Sequence, residues 1–170
     1  EEDLYWDSAR ADSRLKALRS SIVKQLCISS NSPLMNQISI GEDSAKLAFK
    51  PFVTALNSSG LLPTAKGNKY SEKHLSSCLY DTNNNEHNDE MKRSKKAICK
   101  LIELSYSFVE DNYKSIFEKD RYFIVSNRGT YAFINIIGSL NSYLTDKGKL
   151  NKQSAPQLRL QEMDKYLTVL

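Results

Sequence analysis

Residues 88–118 read NDEMKRSKKAICKLIELSYSFVEDNYKSIFE, and this stretch decides the fold. Met91, Ile98, Leu101, Ile102, Phe108, Val109, Tyr113, Ile116 and Phe117 keep a helical period, with Leu104 and Ser105 widening the face. A stripe of that kind buries one side of an amphipathic helix, so the stretch predicts one long central helix. Asn88 is placed to cap its start, where free backbone N–H groups need an acceptor, and Asp89 and Glu90 complement the positive end. Its polar side carries Lys92, Arg93, Lys95, Lys96 and Lys100, the densest basic cluster in the chain.

Working outward, Leu15, Leu18, Ile22, Val23 and Leu26 form a second stripe and predict a helix over residues 12–29. Asp12 or Ser13 would cap it, and Arg14, Lys16, Arg19 and Lys24 lie mostly off the stripe. SSNSP at 29–33 is turn chemistry. In NQISIG at 36–41, apolar and polar residues alternate as in a short strand; with a second strand at 46–49 they suggest a small hairpin. Pro51 suits the first turn of a helix through Phe52, Val53 and Leu56 that Gly60 ends. PTAKGNK at 63–69 reads as a loop, 71–80 as a short helix, and DTNNNEHN at 81–88 as a flexible surface loop. YFIV at 122–125 reads as a buried extended segment. Helices follow at 130–144, with Gly148 past its end, and from about Pro156 to Tyr166. The expectation is a mainly α, five-helix domain with a small β-hairpin or two to three short strands. It is a single helical domain over 1–170.

Composition narrows the function. With 40% apolar residues and sixteen aromatics, the 170-residue chain has material for a core and is not a disordered tail. The longest apolar run, near Phe133–Ile137, is far short of the roughly 20 residues of a membrane span. Cys27, Cys78 and Cys99 are odd in number and lack framework spacing, which suits free buried thiols in a reducing, cytoplasmic setting. The net charge of +4 permits a nucleic-acid surface without demanding one. The start at Glu1, Glu2 and Asp3 reads as a cut inside a longer protein, with proteolytic processing as the alternative.

Few residues offer chemistry. His74 and Cys78, four apart on the expected helix, could share a metal, but no CxxC or HExxH accompanies them. The plainer reading is a helix-face histidine beside a buried thiol, and neither a metal nor a cofactor is expected. A cysteine nucleophile would need a base and an electropositive pocket, whereas each cysteine sits on an apolar face. No phosphate-binding loop, nucleophile elbow or paired-carboxylate motif occurs, so no catalytic activity is expected of this chain alone. Lys92, Lys96 and Lys100 share one helix face and could track phosphates, each contact releasing a counterion; a solvated helix face is the alternative. Lys66, Lys69 and Lys73 would extend the patch if the fold brings them near. SNRG at 126–129 precedes a helix, so Arg128 and free N–H groups could hold an anion; alternatively, Gly129 supplies a special turn conformation.

Two stretches carry a family resemblance: LCISSNSPLMNQISIG at 26–41 and YFIVSNRGTYAFINIIGSLNSYL at 122–144, with AFKPFVTAL at 48–56 and the long helix between them in order. The arrangement resembles the C-terminal part of the DGQHR-domain family, which is similar to the DndB-like proteins of bacterial DNA phosphorothioation systems. The naming motif Asp-Gly-Gln-His-Arg does not occur in the chain; the resemblance places it upstream, in an α/β part. It carries over no active-site residue, and only Ser32, Pro33 and Leu34 and the 126–129 turn match family positions. The resemblance implies a binding or regulatory domain acting in DNA modification, defence or its transcription. DNA would meet Lys92, Arg93, Lys95, Lys96, Lys100 and Arg128. Two other readings stay open: a protein–protein interaction module docking on the missing N-terminal part or a partner protein, and an enzyme whose site needs the absent residues.

Overall fold

The long stripe forms α3, His87–Asn112, in a computed structural model that describes residues 9–39, 47–114 and 124–168. Ile98, Leu101, Ile102 and Tyr106 on its inner face are fully buried, while Phe108 and Val109 are half-buried near its end. Ile116 and Phe117 lie outside the described residues. Asn88 does not cap the helix: the chain turns helical one residue earlier, and Glu86 holds the cap position without a side-chain bond. Asp89 and Glu90 do fall in the first turn.

Around α3 lie α1 (Ala11–Ile28), α2 (Phe49–Ser58), α4 (Asn127–Asp146) and α5 (Pro156–Leu167). Helix α1 packs on α3 and α2, α4 on α2 and α5, and α5 on α3, so the five helices close a ring around one core. Leu15, Leu18, Ile22, Val23 and Leu26 meet Phe52, Leu56, Ile134, Ile137 and Met163 in it. Pro156 opens α5, and Gly60 and Gly148 follow α2 and α4 with positive φ of 78° and 69°, a conformation that glycine adopts without strain.

The β elements are small and differ from expectation. Strands β1 (Ile38–Ser39) and β2 (Leu47–Ala48) run parallel, Ile38 beside Leu47, and so do not form a hairpin. Tertiary contacts fix their direction: Ile38 and Leu47 both enter the core, and Asn127 Oδ1 takes the Ala48 N–H at 2.8 Å. The hairpin stands instead in the segment read as a loop, as antiparallel β3 (Ala65–Lys66) and β4 (Lys69–Tyr70) around Gly67 and Asn68. It caps α1. Asn68 Oδ1 accepts from Ala11 N–H at 3.0 Å, the Gly67 carbonyl from Asp12 N–H at 3.0 Å, and Asp12 Oδ2 from Gly67 N–H at 2.9 Å. That last bond holds the Asp12 carboxyl below its ordinary range. Neither Asp12 nor Ser13 therefore caps the helix as expected; a hairpin distant in sequence satisfies its free N–H groups.

Residues 71–80 form turns, not a helix. His74 has φ of 66°, which interrupts any helix there, and its carbonyl accepts from both Ser77 and Cys78 N–H. Residues 81–86 fold on themselves, with Asp81 and Asn84 side chains accepting from the N–H groups of Asn83 and Glu86. Of the buried extended segment expected at 122–125, residues 122 and 123 lie outside the described residues; Ile124 is helical and Val125 stands in a turn, buried but not extended. Helix α4 begins three residues earlier than expected. Ser126 Oγ caps it by accepting from Gly129 N–H at 3.1 Å, so Gly129 is helical and supplies no special turn.

Arg159 is the largest fully buried side chain. Its guanidinium donates to the carbonyls of Ser154 and Asn151 and to Asn141 Oδ1, while Asn141 Nδ2 donates to the Ser77 carbonyl at 2.7 Å. The charge thus links α5, α4 and the turns at 71–80 and 151–155. Arg14 and Arg19, off the α1 stripe, are buried as well.

Helix α4 meets the end of α2 at Gly138, where an added Cβ would lie 1.9 Å from the Ser59 carbonyl oxygen. Both partners there are backbone and neither can give way. Gly138→Ala is expected to separate the two helices and cost about 3 kcal/mol or more. A chemical denaturation midpoint matching the wild type would show that the contact is looser than described.

Candidate nucleic-acid interface

With Ile98, Leu101 and Ile102 facing the core, the opposite face of α3 must turn Lys92, Lys96 and Lys100 outward. Lys92, Lys95, Lys96 and Lys100 line one groove of about 520 Å³, walled by Gln25 of α1 and Gln157 of α5. Lys96 and Lys100 also border a second groove of about 350 Å³, walled by Lys152, Gln153 and Ser154. The two grooves share Lys96, Lys100 and Gln157, so they adjoin along α3 as two parts of one shallow, open recess. Glu103, the acid at its edge, accepts from Ser29 Oγ at 2.8 Å and is nearly buried. Lys95, Lys96 and Lys100 have no carboxylate within ion-pair distance among the described residues.

Of the other expected site residues, Arg93 borders the second groove beside Lys96 and Lys100, and Arg128 lies apart. Arg93 turns inward, its guanidinium bonding Glu90 at 2.5 and 2.8 Å and the Leu79 carbonyl at 2.7 Å. Its side chain stays 35% exposed along the second groove, with its charge paired to Glu90. Burial opposes ionisation of Glu90, but the bonds from Arg93, Asp81 N–H and Ser94 outweigh it and hold its carboxyl below the ordinary value. Arg128 opens onto a different groove, of about 470 Å³, with Lys50, Thr54, Asn127 and Tyr131. Lys66 and Lys69 flank a third, at the hairpin, so the recess gains nothing from them. Nothing in the sequence marks Gln25, Gln157 and Lys152; only the packing of α1 and α5 on α3 brings them together.

The thiols offer no chemistry. Burial pushes Cys99 up to about 12 and raises Cys78, so both stay protonated. Cys27 is buried with its Sγ 3.2 Å from the Ile38 carbonyl. His74 and Cys78 share no helix face, and the His74 ring lies against Gly60. Burial and Lys73 lower the His74 imidazole below its ordinary value. No cluster of three potential metal ligands occurs among the described residues. No helix among them is long and apolar enough to cross a membrane.

Comparison of the chain with models of protein families, with curated proteins and with solved structures finds no match.

Because the folded state depresses the Glu90 carboxyl, its contribution to stability is present above the ordinary value of 4.5 and is lost as pH falls through the lower folded value. Glu90→Gln leaves Arg93 without its counter-charge, keeping the bond to the Leu79 carbonyl, and should cost about 2 kcal/mol at neutral pH. The deficit should shrink in acid; a constant deficit across melts from pH 7 to about pH 3 would contradict the ionised pair.

Proposed function

We propose that this chain is the DNA-contacting, helical C-terminal domain of a bacterial DNA-modification or defence-associated protein of the DGQHR/DndB-like kind. One observation carries the binding role: four lysines from a single helix, Lys92, Lys95, Lys96 and Lys100, line one recess without a neutralising ion pair at Lys95, Lys96 or Lys100 among the described residues. A cluster of that sign concentrates positive potential where a phosphate backbone gains from displacing counterions. Arg128 faces another groove and is left out of the contact. The family attribution rests on the motif order at 26–41, 48–56 and 122–144. Within those motifs Leu34 packs in the core and Ser126 caps α4, so both turns serve the fold. Free, buried cysteines suit a cytoplasmic protein.

The test is DNA binding by the purified chain, read against salt with a mixture of single- and double-stranded oligonucleotides. Affinity should fall at least about tenfold between about 50 and 200 mM salt. The Lys92→Glu, Lys96→Glu, Lys100→Glu triple variant should bind weakly and with a flatter salt slope. If neither DNA form binds at the lowest salt, direct contact is excluded and the chain is a protein-docking module. If the triple variant keeps affinity and slope, DNA binds elsewhere.

A further inference from the structure

Lys92 and Lys96 are exposed, and Lys95 and Lys100 are partly covered by neighbouring elements. Lys96 and Lys100 lie where the two grooves adjoin, with Gln25 of α1 on one side and Lys152, Gln153 and Ser154 on the other. From this flanking by α1 and the 151–155 turn we infer that the recess takes a single nucleic-acid strand and discriminates against a duplex, an inference that rests on the binding role proposed above.

Shape and spacing carry it. Lys92, Lys96 and Lys100 follow one another by a helical turn, about 6 Å of rise per step, which suits successive phosphates of one flexible backbone. A duplex is a stiff, wide cylinder that meets proteins through projecting charges or through an element inserted in its groove. A recess walled on both sides and floored by a helix offers neither. The walls add neutral donors and acceptors, the amides of Gln25, Gln153 and Gln157 and the Ser154 hydroxyl, suited to phosphate and sugar oxygens. The opposing charge is a single carboxylate, Glu103, against the four lysines of the first groove.

The same lining says how the strand is held. No aromatic side chain borders either groove among the described residues, so bases find no stacking platform, and the affinity comes from the backbone. Binding is then indifferent to sequence and strongly salt-dependent. An anionic membrane suits the recess less well, since a lipid surface is met by lysines flanking large apolar side chains that insert, and none of the exposed large apolar side chains among the described residues lines either groove.

The experiment compares an oligothymidylate of about 20 nucleotides, a duplex of the same length and phosphatidylserine vesicles, each titrated with the full chain. The strand should bind at least about tenfold more tightly than the duplex, with a salt slope near −0.7 per phosphate engaged. Gln157→Glu places a carboxylate on the wall in the first turn of α5, where an acid favours the helix. It should weaken strand binding at least about fivefold at an unchanged melting temperature. Duplex binding as tight as that of the strand would overturn the inference and leave the DNA-binding role standing. Strand binding unaffected by Gln157→Glu would place the strand outside the recess and overturn it as well. Binding to vesicles with neither nucleic acid bound would overturn both readings.

Discussion

A whole positive charge sits inside this domain with only neutral oxygens around it. Arg159 is fully buried between α4 and α5 and is satisfied by two carbonyls and one side-chain amide. Taking a guanidinium out of water without a carboxylate is costly, and burial pushes Arg159 down to about 10, with the charge of Arg93 adding to the effect. It remains charged at neutral pH. The fold meets the cost with geometry, because two of the three acceptors are carbonyls of the 151–155 turn and the third is the side chain of Asn141 on α4, each fixed by its own element. Asn141 in turn holds the Ser77 carbonyl, so one side chain draws four segments together. Loss of the guanidinium would leave those acceptors facing an apolar interior.

The recess along α3 depends on that knot. Lys152, Gln153 and Ser154 stand on the turn whose carbonyls Arg159 grips, and Gln157 lies in the first turn of the helix that carries Arg159. The opposite wall, Gln25, comes from α1, whose start the β3–β4 hairpin caps. The lysines themselves belong to α3 and need only its inner face to be buried. The floor of the site is therefore a local property of one helix, whereas its walls are tertiary. Below the floor, Glu90 and Arg93 tie the start of α3 to Leu79 and Asp81, which keeps the near end of the recess in place.

What the sequence revealed divides along the same line. Every residue of the α1 stripe and the middle of the α3 stripe is buried, because a helix repeats its environment every few residues. Pro156, Gly60 and Gly148 mark ends for reasons confined to their own backbone. Features set by distant partners were not legible. Asp12 looks like a cap and instead accepts from Gly67, and residues 71–80 have helical apolar spacing that His74 breaks. The strands at 38–39 and 47–48 looked like a hairpin and run parallel. The true hairpin did leave a signal, the Gly67–Asn68 pair, which is a recognised two-residue turn. Arg14 and Arg19 looked solvent-facing but are covered, and burial lowers the Arg19 guanidinium. Of the expected site, Lys92, Lys95, Lys96 and Lys100 come together, since one helix face suffices for that; Arg93 borders the second groove but is paired with Glu90, and Arg128 goes elsewhere.

The most direct test of the buried arginine's role is amide hydrogen exchange on Arg159→Met, a variant that keeps much of the side-chain volume and removes the charge and its donors. Protection of the hydrogen-bonded amides of Asn151, Gln153, Ser154 and Arg159 should collapse well ahead of those in the middle of α1 and α3. Strand binding should weaken with it. Unchanged protection across residues 151–159 would mean that the turn and the recess wall hold without the buried arginine, and would contradict its central place in the fold.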